Sequence, residues 1–183
     1  MVTIFLVFVC VVIPAGLYYW REYKMSTPGL QWPVLGRILG LDYCAAPPRL
    51  RGRSNGREVA IEISQNLVRI AMKLSRPSRL RVEIGPKEAV SLRAGMVVPD
   101  RVSTGDEAFD GRLLARCNEK AAGLKLLEPL MRQRLLAQPH VDILGEGAEI
   151  QWLLPYLKEP EPAEAILEIL AAIAEEMELS AGA

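Results

Sequence analysis

The polarity pattern of this chain divides at Trp20. From Val2 to Trp20 runs a stretch of 19 residues without a charged side chain, closing in Tyr18, Tyr19 and Trp20. A helix of that length rises about 28 Å, close to the ~30 Å hydrocarbon core of a bilayer, and aromatic rings favour the boundary where such a helix ends. The pattern predicts a transmembrane anchor over residues 1–24, with Tyr18, Tyr19, Trp20, Arg21, Lys24 and Trp32 at the membrane interface. A cleavable signal peptide fits less well, because bulky Leu17 to Trp20 follow Ala15 and Gly16 and no basic region precedes the apolar run. Cys10 is flanked by Phe8, Val9 and Val11, not by the small residues of a lipid-attachment site. Pro14 and Gly16 would kink a solitary helix but suit a span packed on a neighbour, so they mark the partner-facing side of the span.

Beyond the anchor the apolar period changes to two. Val59, Ile61 and Ile63 alternate with polar or small residues after the turn signal Asn55-Gly56, predicting a hairpin over Leu50 to Ser64. Val68, Ile70, Met72 and Leu74 repeat the period, and Leu80, Val82 and Ile84 resume it after Pro77, which predicts a further pair of antiparallel strands. Shorter strands are predicted at Val97 to Val102 and Arg112 to Cys117. Helical spacing follows over Ala121 to Gln138, divided at Pro129 as an N1 proline, then a hairpin of Val141 to Leu144 and Ala148 to Leu154 through Gly145-Glu146-Gly147. A last helix opening at Pro162 carries the stripe Ile166, Leu170, Ile173 and Met177. The predicted fold class is α+β: an N-terminal transmembrane helix, then a mostly antiparallel sheet with helices on one side. Residues 39–183 suffice for one domain, joined to the anchor by a connector over 25–38, where the apolar Trp32, Val34, Leu35 and Ile38, with Leu39 just after them, suit either the bilayer surface or packing on the domain.

Charge adds an orientation. The chain is neutral in total, with 22 Lys and Arg against 22 Asp and Glu. Arg21 to Arg101 holds 15 basic and 7 acidic residues, a net of +8; Val102 to Ala183 holds 7 and 15, a net of −8. Basic residues collect on the cytoplasmic side of a span, and here they all follow it, so the N-terminus is expected outside and the domain in the cytoplasm at a cell inner membrane. Arg49, Arg51 and Arg53 alternate along a predicted strand and, with Arg57, are expected to contact anionic head groups. Pairing of the two oppositely charged halves is the plainer alternative. Cys44 and Cys117 outside the span do not make a disulfide framework.

Candidate chemistry is sparse. Thr104-Gly105-Asp106-Glu107-Ala108-Phe109-Asp110 sets two carboxylates four residues apart, which suits acid–base or metal chemistry. The same segment has the spacing of a capping box, Thr104 with Glu107, in which case it is a structural loop with Phe109 in the core. His140 is the single histidine, and no phosphate loop, metal-ligand spacing or cofactor signature is present. The basic hairpin lacks interleaved aromatics, so no specific nucleic-acid partner is expected.

The segment Thr104-Gly-Asp-x-x-Phe-Asp110, followed by the Leu- and Pro-containing helix through Leu124 and Leu136, resembles uncharacterised bacterial single-span proteins carrying a domain of unknown function. That resemblance implies an N-terminal membrane segment and brings no active site with it. The function expected is a non-catalytic accessory, assembly or stabilising subunit of a larger membrane protein complex, whose partners are integral membrane subunits and membrane lipids. The alternatives are a membrane-tethered enzyme using Asp106 and Asp110, and an anionic-lipid or ligand-binding module.

Overall fold

The computed structural model describes residues 31–64, 67–93, 98–155, 157 and 160–180, together with Ile13 and Gly16, which are helical. Helix α1 (Trp32–Leu39) is followed by strands β1 (Asp42–Ala45), β2 (Pro48–Ser54), β3 (Arg57–Ser64) and β4 (Leu67–Gly85), then helix α2 (Lys87–Leu92) and strand β5 (Asp100–Val102). Helix α3 (Glu107–Arg112), strand β6 (Leu114–Cys117), helices α4 (Lys120–Leu126) and α5 (Pro129–Ala137), strand β7 (Ile143–Leu154) and helix α6 (Pro160–Ser180) complete the order. The strands form one seven-stranded sheet, β1-β2-β3-β4-β6-β5, with β7 also paired to β4, and every pairing is antiparallel. This is the expected α+β architecture. No helix among the described residues is long and apolar enough to cross a membrane; the anchor expected over 1–24 lies outside them except at Ile13 and Gly16.

The β2–β3 hairpin turns where the sequence signals it. Asn55 (φ 52°) and Gly56 (φ 77°) both adopt the left-handed backbone that a two-residue hairpin turn requires, and Ser54 faces Arg57 across it. Two other expected reversals are absent. Pro77 does not separate two strands, because β4 runs on through it as 19 residues. The register shifts between Lys73 and Ser78, so Pro77 sits at an irregularity where the ladder does not need its missing N–H. Gly145-Glu146-Gly147 likewise lies inside the single strand β7, which stays paired to β4 from Ile143 to Leu154. Gly147 at φ 62° bends the strand instead of reversing it. The β4–β7 ribbon curls so far that the two ends of β7 meet: Leu153 N donates to Asp142 O at 2.9 Å and Trp152 Nε1 to His140 O at 3.0 Å.

The curl makes a trough that holds α6. Ile166, Leu170, Ile173 and Met177 are buried there, as their spacing predicts, joined by Leu167, Ile169 and Ala174, while Glu164, Glu168 and Glu175 stay exposed. Gly145 lets the helix come close, since a Cβ on it would stand 2.7 Å from Met177 Sδ. The helix begins at Pro160, two residues before Pro162. Pro129 opens α5 at its first turn as expected.

Helix α1 corrects the expectation for Trp32. Its ring is 0% exposed and belongs to the core, so it is not an interface residue, and the domain body begins inside the expected 25–38 connector. Trp32, Leu35 and Gly36 share the i, i+3, i+4 face that α1 lays on the sheet. Gly36 allows the contact: a Cβ there would lie 2.6 Å from Leu50 Cδ2 and 2.8 Å from Leu41 O. Core and interface tryptophans look alike in sequence; the buried i, i+3, i+4 face distinguishes them. Most helices occupy the α6 side of the sheet, but α2 lies on the other, where Arg116 donates to Val90 O at 3.1 Å.

Candidate functional site

The Thr104–Asp110 loop is built around Asp110. Its carboxylate accepts from Ser103 Oγ (2.9 Å), Thr104 N (3.0 Å), Thr104 Oγ1 (3.1 Å) and Gly105 N (3.1 Å). Partial burial pushes this carboxyl up, but the Thr104 and Gly105 N–H groups and the Ser103 and Thr104 hydroxyls outweigh it and hold it below the ordinary aspartate value. Asp106 has another task. Its Oδ1 accepts from Ala108 N (3.1 Å) and Phe109 N (3.2 Å), making it the N-cap of α3, and its Oδ2 lies 3.3 Å from Arg132 Nη1.

The cap is therefore Asp106 and not Thr104. Gly105, at φ 75°, turns the chain after Thr104, so helical backbone starts only at Glu107. Thr104 Oγ1 accepts from Asp106 N at 3.2 Å and donates its own hydrogen bond to Asp110. Glu107 is exposed and takes no part in these bonds, whereas Phe109 is fully buried as expected. Both carboxylates are thus engaged by donors. Asp110, held below its ordinary value, is a poor base, because protonation would break the bonds that fasten the loop.

The basic residues divide between two faces. On β2, Arg49, Arg51 and Arg53 project from the face away from α6, opposite Glu62, Ala60 and Glu58 of β3. The next strand continues two of these rows with Arg69 and Ala71. Arg69 is paired with Glu62 at 2.9 Å and with Glu149, and it donates to Gln151 Oε1 at 2.6 Å; Lys73 is paired with Glu58 at 2.6 Å. Arg51, Arg53, Arg69 and Lys73, with Glu58, Glu62 and Glu149, border an open depression of about 520 Å³ floored by Ala60 and Ala71, and Arg49 lies outside it.

Arg57 does not belong with them. The turn pairs Ser54 with Arg57, so Arg57 shares the face of Val59 and Ile61 and reaches the last turns of α6. There it grips Glu178 with Nη2 at 2.8 Å and Nε at 3.3 Å, and Ser75 N donates to the same carboxylate at 2.6 Å. Burial raises Glu178, yet Arg57 and the Ser75 N–H hold it below its ordinary value. Head-group contact is thereby withdrawn for Arg57, whose side chain is 15% exposed.

Two further features escape sequence reasoning. A cleft of about 370 Å³ opens where the ends of β7 meet, among Leu67, Pro86, Leu113, Val141 and Leu154, with Arg112, His140 and Asp142 also lining it. Burial pushes Asp142 up against the opposing pull of its ion-pair partner Arg93. Glu83, 1% exposed, is held by Arg81 at 2.7 Å with Arg116 at 3.9 Å. The sole hint of Glu83 in the sequence is a carboxylate within the alternating run that ends at Ile84. No group of three or more His, Cys, Asp or Glu able to hold a metal ion occurs among the described residues, and Cys44 and Cys117 are free thiols. Gly16 is exposed, with open space around its Cβ position. Pro14, Tyr18, Tyr19, Trp20, Arg21 and Lys24 lie outside the described residues.

No family model matches the chain, and no characterised sequence matches it. Among solved structures it is similar to the mycobacterial trehalose monomycolate transport factor A, TtfA, with a TM-score of 0.60 and 12% identity over 84% of this chain and 94% of that one. At that identity the likeness is one of fold, and the chain shares the α+β architecture of TtfA over most of the length of both.

Proposed function

We propose that this chain is a non-catalytic, single-span accessory subunit that assembles with, or stabilises, integral membrane subunits of a larger complex. It sits at a bacterial inner membrane, N-terminus outside, with the body from Trp32 onward in the cytoplasm. The observation that carries the reading is that Asp106 and Asp110, the pair a tethered enzyme would use, are occupied by capping and loop hydrogen bonds, which supports a structural role for this loop. The charge-free run from Val2 to Trp20 with Arg21 and Lys24 behind it supports the span and its orientation. The shared fold with a protein named as a transport factor supports a partner engaged in transport. A ligand-binding module is the second reading, favoured by the cleft beside His140 and Asp142.

The full-length chain, extracted from membranes in mild detergent, is expected to bring an integral membrane protein with it in fixed stoichiometry, read by mass spectrometry. Alkaline carbonate should leave it in the membrane fraction, and protease added outside intact cells should spare the domain. Purification as a lone chain in every mild detergent would contradict the accessory role; digestion of the domain from outside would overturn the orientation.

A further inference from the structure

We propose that the depression on the outer face of β2, β3 and β4 docks an acidic, extended segment of the membrane partner; the proposal deepens the accessory-subunit reading and rests on it. Its shape comes from register. Ala60 lies opposite Ala71, so the middle row of this face is nearly bare, while the rows beside it carry the Glu62–Arg69 and Glu58–Lys73 pairs. Those pairs form two walls whose charges satisfy one another. Arg51 and Arg53 are different: both are exposed, and neither side chain makes an ion pair or hydrogen bond among the described residues, although Asp42 stands across the ladder from Arg51 and Glu58 from Arg53. The carboxylate facing Arg53 across the hairpin, Glu58, is already held by Lys73 at 2.6 Å.

These two guanidiniums, without a side-chain hydrogen bond among the described residues, set the ligand. Side chains two apart on a strand repeat at about 6.8 Å on one face, so Arg51 and Arg53 match two carboxylates at the same interval on an extended partner. Each guanidinium can take a carboxylate bidentately, while the partner's backbone and small side chains occupy the trough over Ala60 and Ala71. A bilayer fits the face less well. Around the depression stand Arg51, Arg53, Arg69 and Lys73 against Glu58, Glu62 and Glu149, four cations and three anions, a net of only +1. A flat lipid surface cannot follow the depression, whereas an extended chain can lie along the bare row over Ala60 and Ala71.

The test titrates the full-length chain in detergent with fluorescein-labelled hexaglutamate, with hexalysine as control, and with phosphatidylcholine vesicles doped with phosphatidylglycerol. Hexaglutamate is expected to bind in a salt-sensitive way and hexalysine not to bind. Arg51→Glu with Arg53→Glu should weaken binding about tenfold or more, and so should Ala60→Tyr, which fills the trough with a good strand former and leaves the charge unchanged. Should either fail to fold, judged by its melting temperature, Arg51→Gln with Arg53→Gln and Ala60→Val replace them. Unchanged affinity in the trough-filling variant would reduce the site to nonspecific basic charge and overturn the proposal. Vesicle binding that the charge variant abolishes, with no hexaglutamate binding, would assign the face to lipid and overturn it as well. If the wild type and the charge variant co-purify the same membrane partner equally, the docking proposal fails and the accessory reading stands. If the wild type brings no partner, the accessory reading fails, and the peptide titration still decides the trough.

Discussion

Thr104 and Asp110 hold the two ends of one loop together through two donors, the Thr104 backbone N–H at 3.0 Å and its hydroxyl at 3.1 Å, both aimed at a single carboxylate. Asp110 therefore works as an ionised acceptor. Asp110→Asn turns an amide donor toward those N–H groups and should lower stability by about 1 to 3 kcal/mol near neutral pH. The sign with pH follows from the lowered folded value: the contribution is complete above the ordinary aspartate value, about 3.9, and is lost as pH falls through the folded value. The gap in unfolding free energy between wild type and variant should thus close on acidification. A gap that holds in acid would mean that the charge of Asp110 is not what fastens the loop.

The same loop separates cap from core. Asp106→Ala should lose about 0.5 to 2 kcal/mol as an N-cap, and Thr104→Ala about 1 kcal/mol through its two hydroxyl bonds. Phe109→Ala, at a position 0% exposed, should cost about 3 to 5 kcal/mol. Urea denaturation gives the order of the three. Added magnesium or calcium should leave all melting temperatures unchanged; a metal-dependent rise that vanishes in Asp106→Asn would revive the enzyme reading.

Arg57 and Glu178 tie β3 to the end of α6. With side chains 15% and 16% exposed, the pair is shielded more than a surface salt bridge. Removing Arg57 leaves Glu178 without its cationic partner and with only Ser75 to bond it, so Arg57→Ala should destabilise by about 1 to 3 kcal/mol. A double-mutant cycle with Glu178→Gln isolates the coupling, and high salt should reduce it little. A coupling indistinguishable from zero would make the contact ornamental.

Gly36 is where α1 touches the sheet. A methyl group there meets the carbonyl of Leu41 at 2.8 Å, which is backbone and cannot swing aside. Gly36→Ala should cost about 1 to 3 kcal/mol by overpacking despite alanine's better helix propensity, whereas Val34→Ala on the exposed side should change little. Equal melting temperatures for the Gly36 variant and wild type would mean that α1 is not seated on β2.

What was legible in the sequence was local. Asn55-Gly56 marks its hairpin, Pro129 its helix start, and the spacing of Ile166, Leu170, Ile173 and Met177 the buried face of α6, because each depends on neighbours a few residues away. Pro77 and Gly145-Glu146-Gly147 misled because breakers act locally, while a long antiparallel partner can carry a strand across an irregularity. The face shared by Arg49, Arg51 and Arg53 follows from a period of two, and the same period places Arg57 on the opposite side once the turn is fixed. The partners Glu62, Lys73 and Glu149 do not follow, since they are set by register between strands distant in sequence. In the loop the residue types pointed to a cap, but the left-handed Gly105 decided that Asp106 and not Thr104 would be it.

The central claim, an accessory subunit that recognises a membrane partner, is tested most directly by exchanging the span. A chimera in which residues 1–24 are replaced by a generic leucine-rich helix should still insert, since insertion needs only hydrophobicity, and its domain should keep the wild-type melting behaviour. If, as proposed, a neighbouring helix packs on the span at Pro14 and Gly16, the account predicts that the chimera co-purifies markedly less of the membrane partner than the wild type does. Equal recovery of the partner by a correctly inserted chimera would contradict it.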